Sequence, residues 1–233
     1  MVWIDRISLF DAWDICAVAL IAVSWLACSL VIEHPPKSRP SVSVLMASYR
    51  RIWMRHFVTR QPRIFDSQIV GSLRQGTAFF ASASMIAIGG VFALLGNTDR
   101  LQGVAEDLTV GADPIVVWEV KLILVLLFVA NAFLKFVWSN RLFGYCSVMM
   151  GAVPNDESET AYARAAKAAE INIFAARGYN RGLRSVYFGI AASAWLLGSV
   201  ALIGATVLAV VVILRREFAS QSREVLLAPE QDI

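Results

Sequence analysis

The sequence has little of what most enzymes and metalloproteins use at their sites. Of its 233 residues only 17% are charged, against about 25% in soluble domains, and only two are histidines. Both histidines, His34 and His56, lie outside the long apolar stretches, so no haem ligand of this type lies within a membrane segment. The three cysteines, Cys16, Cys28 and Cys146, form no Cys-x-x-Cys pair and are interpreted as small apolar residues. We therefore expect no metal and no cofactor.

Sequence motifs for catalysis are also missing. The chain contains no Gly-rich phosphate loop, no His-Glu-x-x-His and no Gly-x-Ser-x-Gly. Its formal net charge of +3 is too small for a nucleic-acid footprint. We therefore expect neither an enzyme nor a nucleic-acid partner.

What the sequence has in abundance is apolar residues, which make up 58% of the chain. They form four long stretches at about residues 10–32, 76–96, 115–138 and 186–214. Each is long enough for a helix to cross about 30 Å of hydrocarbon, which takes about 20 residues. Lipid offers backbone groups no hydrogen-bond partner, so such stretches are predicted to be helices. The sequence predicts an all-α, polytopic membrane protein with four transmembrane helices, forming one domain over residues 1–233.

The charges between these stretches alternate in sign. The first loop carries eight Lys or Arg against two acids, the second four acids against one Arg, and the third six bases against four acids. The positive-inside rule then places the first and third loops in the cytoplasm and both termini outside. Arg215 and Arg216, after the fourth stretch, are the exception, since this orientation puts them on the outer side.

The two cytoplasmic loops are predicted to contain helices. Residues 44–58 mix apolar side chains with Arg50, Arg51 and Arg55, a pattern typical of a basic amphipathic helix lying in the inner interface. Residues 156–177 are Ala-rich, with acids near the start and bases further on, as the helix dipole favours. The polar tail, residues 220–233, is expected to be loosely ordered.

The third apolar stretch carries a polar stripe. Lys121, Asn131 and Lys135 share one helical face, which predicts that they face the bundle or water. One interpretation is an anion or proton path. The other is that the lysines reach the headgroups at either end while Asn131 bonds a neighbouring helix. The second is favoured, because both lysines lie within about three turns of a span end.

Small residues recur at helical spacing in the second and fourth stretches, as in Ala83, Ala87 and Gly90 and in Ala194 and Gly198. Such spacing lets two helix backbones approach closely in lipid. The contact could be intramolecular or could join two subunits, and the intramolecular interpretation is favoured.

Basic and polar side chains gather at the predicted cytoplasmic edge of the membrane. If the four spans close into a bundle, they form a pocket suited to a lipid phosphate or another anion. The alternative is ordinary positive-inside charge solvated by headgroups, and the sequence does not choose between the two. The candidate residues are Arg74, Lys135, Arg141, Tyr145, Asn180, Arg181, Arg184 and Tyr187.

Short motifs along the chain together form a recognisable pattern. They are Arg50-Arg51-Ile52-Trp53-Met54, Phe79-Phe80-Ala81-Ser82, Lys135-Phe136-Val137-Trp138-Ser139, Tyr145-Cys146-Ser147, Asn180-Arg181-Gly182-Leu183-Arg184, Tyr187-Phe188 and Arg215-Arg216-Glu217-Phe218. In these motifs the chain resembles the bacterial membrane proteins grouped as domain of unknown function 599. The resemblance implies a four-span integral protein of the bacterial inner membrane. It implies no activity, because the role of that family is uncharacterised.

The function expected from these observations is non-enzymatic. We expect a membrane scaffold or accessory subunit that binds membrane lipid, anionic in charge, or another membrane protein or a second copy of itself. The alternative is a small anion or proton channel or transporter that uses the polar stripe of the third span.

Overall fold

The computed structural model describes residues 9–98, 103 and 114–229. The described chain is helical and shows no strand within those ranges. The acidic residues of the second predicted loop, among them Glu106 and Asp107, lie outside the described residues. The elements are α1 (Ala12–Glu33), α2 (Val42–Thr59), α3 (Ile64–Leu95), α4 (Ile115–Gly151), α5 (Glu159–Ser193), a 3₁₀ turn (Ala194–Leu197), α6 (Ser199–Phe218) and α7 (Gln221–Leu227).

Four helices are long and apolar enough to cross a membrane, namely α1, α3, α4 and the segment that begins with α6. The first three predicted spans are therefore confirmed, although two of them are parts of longer helices. α3 has 32 residues and α4 has 37, so at 1.5 Å per residue they measure about 48 and 55 Å. Both exceed the roughly 30 Å of hydrocarbon, and they continue beyond the membrane layer at one end.

The membrane layer has its own apolar core. It joins Ile21 and Cys28 of α1, Phe128 of α4, Phe188 of α5 and Leu202 of α6. Aromatic rings interlock at its centre, since Phe128 lies 5.6 Å from Trp25 and 6.2 Å from Phe188 between ring centroids. α1, α4, α5 and α6 therefore form one packed bundle, and α3 lies on the outside of α4.

A second core lies in the part that extends beyond the membrane layer. Met54 and Phe57 of α2 pack against Phe143 of α4 and Ala165 of α5. α2 begins at an N-cap on Ser41, whose side chain accepts a hydrogen bond of 3.3 Å from the Val44 backbone. The helix expected over residues 44–58 is thus present, and its buried apolar residues pack against the protein's own helices.

Hydrogen bonds at both ends of α1 fix the direction of the last helices. At the start of α1, Trp195 Nε1 donates to Asp14 Oδ1 over 2.7 Å. At its end, Arg184 Nη2 donates to Glu33 Oε1 over 2.6 Å. The second half of α5 therefore runs antiparallel to α1, from the level of Glu33 to the level of Asp14.

The fourth predicted span, residues 186–214, is not one helix. The chain turns at Gly198, whose φ of 113° lies in the region that favours glycine, and α6 then returns alongside α1. α6 ends where Glu217 accepts a hydrogen bond of 3.0 Å from the Ser43 backbone, beside the start of α2. The expectation that both ends of the chain lie on one side is therefore wrong for the described residues. Arg215 and Arg216 lie at the same end as the basic loops, which removes the exception noted in the sequence.

The predicted loose tail also contains structure. α7 begins at a Ser220 N-cap, and Arg223 Nε donates over 3.0 Å to the carbonyl of Pro40. This contact docks the start of the tail on the α1–α2 connection. Residues 230–233 lie outside the described part.

The small residues of the second apolar stretch do not make the close helix contact that their spacing predicts. Ala83, Ala87 and Gly90 of α3 are exposed, and a Cβ built on Gly90 meets no atom within 4 Å. The close approach is made by α5, where a Cβ on Gly182 would lie 2.7 Å from the ring of Phe136. The intramolecular interpretation is therefore wrong for the α3 stripe. Gly198 serves as a turn residue because of its φ of 113°, and its Cβ position is likewise open.

Candidate anion-binding site

One end of the bundle collects most of the polar contacts, and we call it the basic end. It is where α1 and α6 finish, where α2 begins and where α5 passes into the membrane layer. Its first cluster centres on Glu33. Arg181 Nε donates to Glu33 Oε1 over 2.8 Å and its Nη2 donates to Oε2, while Arg184 Nη2 donates to Oε1 over 2.6 Å.

The two arginines on Glu33 differ in their surroundings. The side chain of Arg181 is 47% exposed, whereas those of Arg184 and Glu33 are only 5% and 7% exposed. Arg184 Nε is buried and has no hydrogen-bond partner. Two positive charges and one negative charge leave this cluster with a formal charge of +1 (2 − 1 = +1).

A second cluster links the end of α6 to the start of α2. Glu217 Oε2 accepts from the Ser43 backbone over 3.0 Å, and Glu217 Oε1 accepts from Ser43 Oγ over 2.9 Å. The carboxylate thus sits at the N-terminus of α2, where the helix dipole stabilises negative charge. Asn180 of α5 joins this cluster, since its Nδ2 donates to Ser43 Oγ over 3.3 Å.

Between these helices lies a cavity of about 370 Å³, which we call the basic cavity. It is bounded by α2, α3, α4, α5 and the end of α6. Its polar lining comprises Ser43, Arg50, Ser72, Thr77, Arg177, Tyr179, Asn180 and Glu217, and its apolar lining comprises Val42, Met46, Ala47, Leu73, Gly76, Phe143, Ile173 and Ala176. Its volume falls in the range of about 300–1,000 Å³ that is typical of small-molecule sites.

Two guanidinium groups line the basic cavity without a carboxylate partner. Arg50 Nη1 donates to Oδ1 of the fully buried Asn172. Within the described residues no carboxylate lies within 4.0 Å of Arg50 or Arg177. Burial lowers the pKa of the Arg50 guanidinium from its ordinary value, whereas hydrogen bonding to Glu170 raises the pKa of its neighbour Arg51. Arg50 therefore carries a partly desolvated positive charge into the basic cavity.

The structure divides the sequence-predicted pocket into two places. Asn180, Arg181, Arg184 and Tyr187 lie on α5 at the basic end, where Arg216 Nη1 also donates to the Tyr187 hydroxyl. The other members lie on α3 and α4. There Arg141 Nε donates to the Tyr145 hydroxyl, and the guanidinium of Arg74 lies over Gly144.

No hydrogen bond or ion pair in the described ranges joins these two groups. Lys135 is half-buried on α4, between them in sequence order. The eight predicted residues therefore do not close into one pocket, although α3 and α5 do contact each other through the rings of Phe80 and Tyr179.

The polar stripe of the third span faces protein. Asn131 Nδ2 donates to Ser185 Oγ of α5 over 2.6 Å, and Phe128 on the same stripe packs in the membrane core. Lys121 is 4% exposed, with its Nζ 5.0 Å from the ring centroid of Trp118. This arrangement agrees with the interpretation in which Asn131 bonds a neighbouring helix. The part of that interpretation in which Lys121 reaches the headgroups is wrong, because the Lys121 side chain is buried.

Sequence reasoning missed three residues of the basic end: Glu33, Arg50 and Glu217. Arg50 belongs to a motif that carried the family resemblance, and it was treated only as part of an interfacial helix. Glu217 was missed because the fourth apolar stretch was interpreted as one span, which placed it at the wrong end. The signal that could have found it is Gly198, at the point where the two helices of the hairpin meet.

Four helices that are long and apolar enough to cross a membrane, in a described chain without strands, define the class, which is an all-α polytopic membrane protein. The family model described as "Protein of unknown function, DUF599" matches residues 16–222. The match covers most of the chain, so the chain belongs to this family. A search of the curated proteins and a search of the solved structures found no match.

Proposed function

We propose that this protein is a non-enzymatic membrane protein that binds anionic lipid at its basic end and acts as a scaffold or accessory subunit of a membrane complex. The observation that supports it is uncompensated positive charge where the helices leave the membrane layer. Arg50, Arg177, Arg181 and Arg184 stand against Glu33 and Glu217, a formal excess of +2 (4 − 2 = +2). Basic sites where helices leave the membrane layer bind anionic lipid headgroups preferentially.

The test is lipid selectivity of the full-length protein. Purified in a non-ionic detergent and titrated with phosphatidylglycerol or phosphatidylcholine, it should bind the anionic lipid preferentially in native mass spectrometry. Equal binding of the two lipids would contradict the proposal. Ion flux in reconstituted vesicles that depends on Asn131 would support the channel alternative instead.

We further propose that the basic end faces the cytoplasm of a bacterial plasma membrane, which agrees with the positive-inside rule. Single cysteines at Asn97 and Ser222, introduced after the native cysteines are replaced by Ala, should then label from opposite sides. Asn97→Cys should react with an impermeant thiol reagent in intact cells, and Ser222→Cys only after permeabilisation, together with Glu157→Cys. Labelling of Ser222→Cys alone from outside would contradict the orientation, and labelling of both Asn97→Cys and Ser222→Cys from outside would contradict the hairpin.

A further inference from the structure

We infer that the basic cavity is a binding site for one phosphate group, held by Arg50 and Arg177 and supplied by an anionic lipid headgroup. This inference rests on the proposed function and gives it a location. Neither arginine belongs to the residues that the sequence suggested for anion binding. The helix faces that form the cavity, its charge and its position relative to the membrane support this inference.

Regular helix faces build the cavity. Ser43, Ala47 and Arg50 lie at successive turns of α2, and Ile173, Arg177 and Asn180 do the same on α5. The cavity is therefore a cleft between packed helices, and its two arginines are held on rigid elements.

The charge of the lining suits one monoanion. Arg50 and Arg177 contribute two positive charges and Glu217 one negative charge, which leaves +1 (2 − 1 = +1). Both oxygens of Glu217 already accept hydrogen bonds from Ser43, so this carboxylate has its own partners. Neither guanidinium has a carboxylate within 4.0 Å among the described residues, although Arg177 and Glu33 line a small neighbouring cavity together. A phosphodiester carries one negative charge, and its oxygens match the planar donors of guanidinium.

Neutral donors complete the lining. Asn180 has two Nδ2 hydrogens, of which one is donated to Ser43 Oγ, and Tyr179 is a further polar residue of the lining. Hydrogen bonds to a charged acceptor are stronger than those between neutral groups. These donors can add to the hold on a phosphate without adding charge.

The position of the cavity favours a lipid over a soluble anion. Gly76 and Thr77 line it, and they begin the apolar stretch of α3, so the cavity lies where lipid headgroups lie. Met46, Leu73 and Phe143 give the rest of the wall an apolar surface that a glycerol or acyl segment can cover. A free phosphate ion has no apolar part that could cover this surface.

The experiment measures phosphatidylglycerol binding to the full-length protein in detergent by native mass spectrometry. Arg50→Gln and Arg177→Gln should each weaken binding at least about tenfold, since a charge-assisted hydrogen bond is lost. The matched control is Arg51→Gln, which removes the same charge next to Arg50 but from a side chain paired with Glu170 outside the cavity. It should stay within about twofold of the wild type, as expected for an exposed charge.

A variant that keeps every charge guards against misfolding of Arg50→Gln. Ala176→Leu narrows the cavity from the α5 side and should also weaken binding, while thermal unfolding shows whether each variant is folded. If Arg51→Gln weakens binding as much as Arg177→Gln, attraction is diffuse and the cavity is not the site. If the wild type shows no preference for phosphatidylglycerol over phosphatidylcholine, the proposed function itself fails.

Inorganic phosphate separates the two sources of the same chemistry. Displacement of bound phosphatidylglycerol by millimolar phosphate, in the wild type and equally in Arg51→Gln, would support one phosphate site shared by both. Phosphate binding that depends on Arg177 in a protein that does not bind the lipid would overturn the assignment to a headgroup.

Discussion

α3 and α5 both pack along α4 and are built in opposite ways. α3 is strongly apolar, yet few of the side chains in its apolar stretch are buried, and most of its alanines and glycines face outward. α5 contains Asn180, Arg181, Arg184 and Ser185 and is largely enclosed by its neighbours. In these two helices apolar residues therefore go with exposure and polar residues with contact between helices, whereas small residues occur in both settings.

The largest expected effect comes from removing the most buried charged side chain of α5, which is Arg184. Arg184→Ala leaves buried Glu33 with only the half-exposed Arg181, and removing one partner of a buried ion pair typically costs roughly 3–5 kcal/mol. We expect a loss of about 3 kcal/mol in the free energy of unfolding, at the low end because Arg181 remains. Denaturant unfolding in detergent measures it.

Arg181→Ala is the matched control, because it removes the same kind of charge from the same carboxylate at an exposed position, where pairs contribute about 0–1 kcal/mol. The double change Arg184→Ala with Glu33→Gln should recover part of the loss. Equal losses for the two single variants would show that burial does not distinguish the arginines.

A second pair of variants compares the small residues of the two helices directly. Gly182→Ala places a Cβ 2.7 Å from the buried ring of Phe136, and such overpacking typically costs about 1–3 kcal/mol. Gly90→Ala meets no atom within 4 Å and should be neutral or stabilising, since Ala is the better helix former. Gly182→Ala should therefore lower the melting temperature in detergent, whereas Gly90→Ala should leave it unchanged or raise it. Equal shifts in the two variants would contradict the described packing of α5 on α4.

The smallest expected effect concerns the polar contact between α4 and α5. Asn131→Ala should cost about 0.6 kcal/mol, the average for hydrogen bonds between membrane helices. A double-mutant cycle with Ser185→Ala measures the coupling between the two side chains, which lie 2.6 Å apart. A coupling energy of zero would contradict the hydrogen bond.

The first three spans could be predicted because apolarity over 20 residues has one physical solution in lipid. The same rule failed at residues 186–214. There the end of α5, the turn and α6 are all apolar, so composition alone cannot separate one long helix from a hairpin. The extensions of α3 and α4 beyond the membrane were missed for a related reason, since nothing in a polar continuation says that the helix persists.

The candidate site was less predictable than the fold. The motif with Arg181 and Arg184 was recognised, but its partner Glu33 lies 148 residues away from Arg181 in sequence. Which arginine is neutralised depends on tertiary contacts of this kind. Arg50 and Arg51 are adjacent and look alike in the sequence, yet one lines the basic cavity and the other pairs with Glu170.

The turn at Gly198 has a consequence for how the chain enters the membrane during synthesis. An arginine at the centre of a lone helix costs about 2.5 kcal/mol or more on insertion, and the second half of α5 carries Arg177, Arg181 and Arg184 near its polar end. The hairpin consists of two helices, of which α5 inserts poorly by itself and α6 is strongly apolar. We therefore expect α5 and α6 to insert together. We expect the translocon to release α5 and α6 as a pair after α1 and α4 are in place, so that truncation before α6 should leave α5 outside the bilayer.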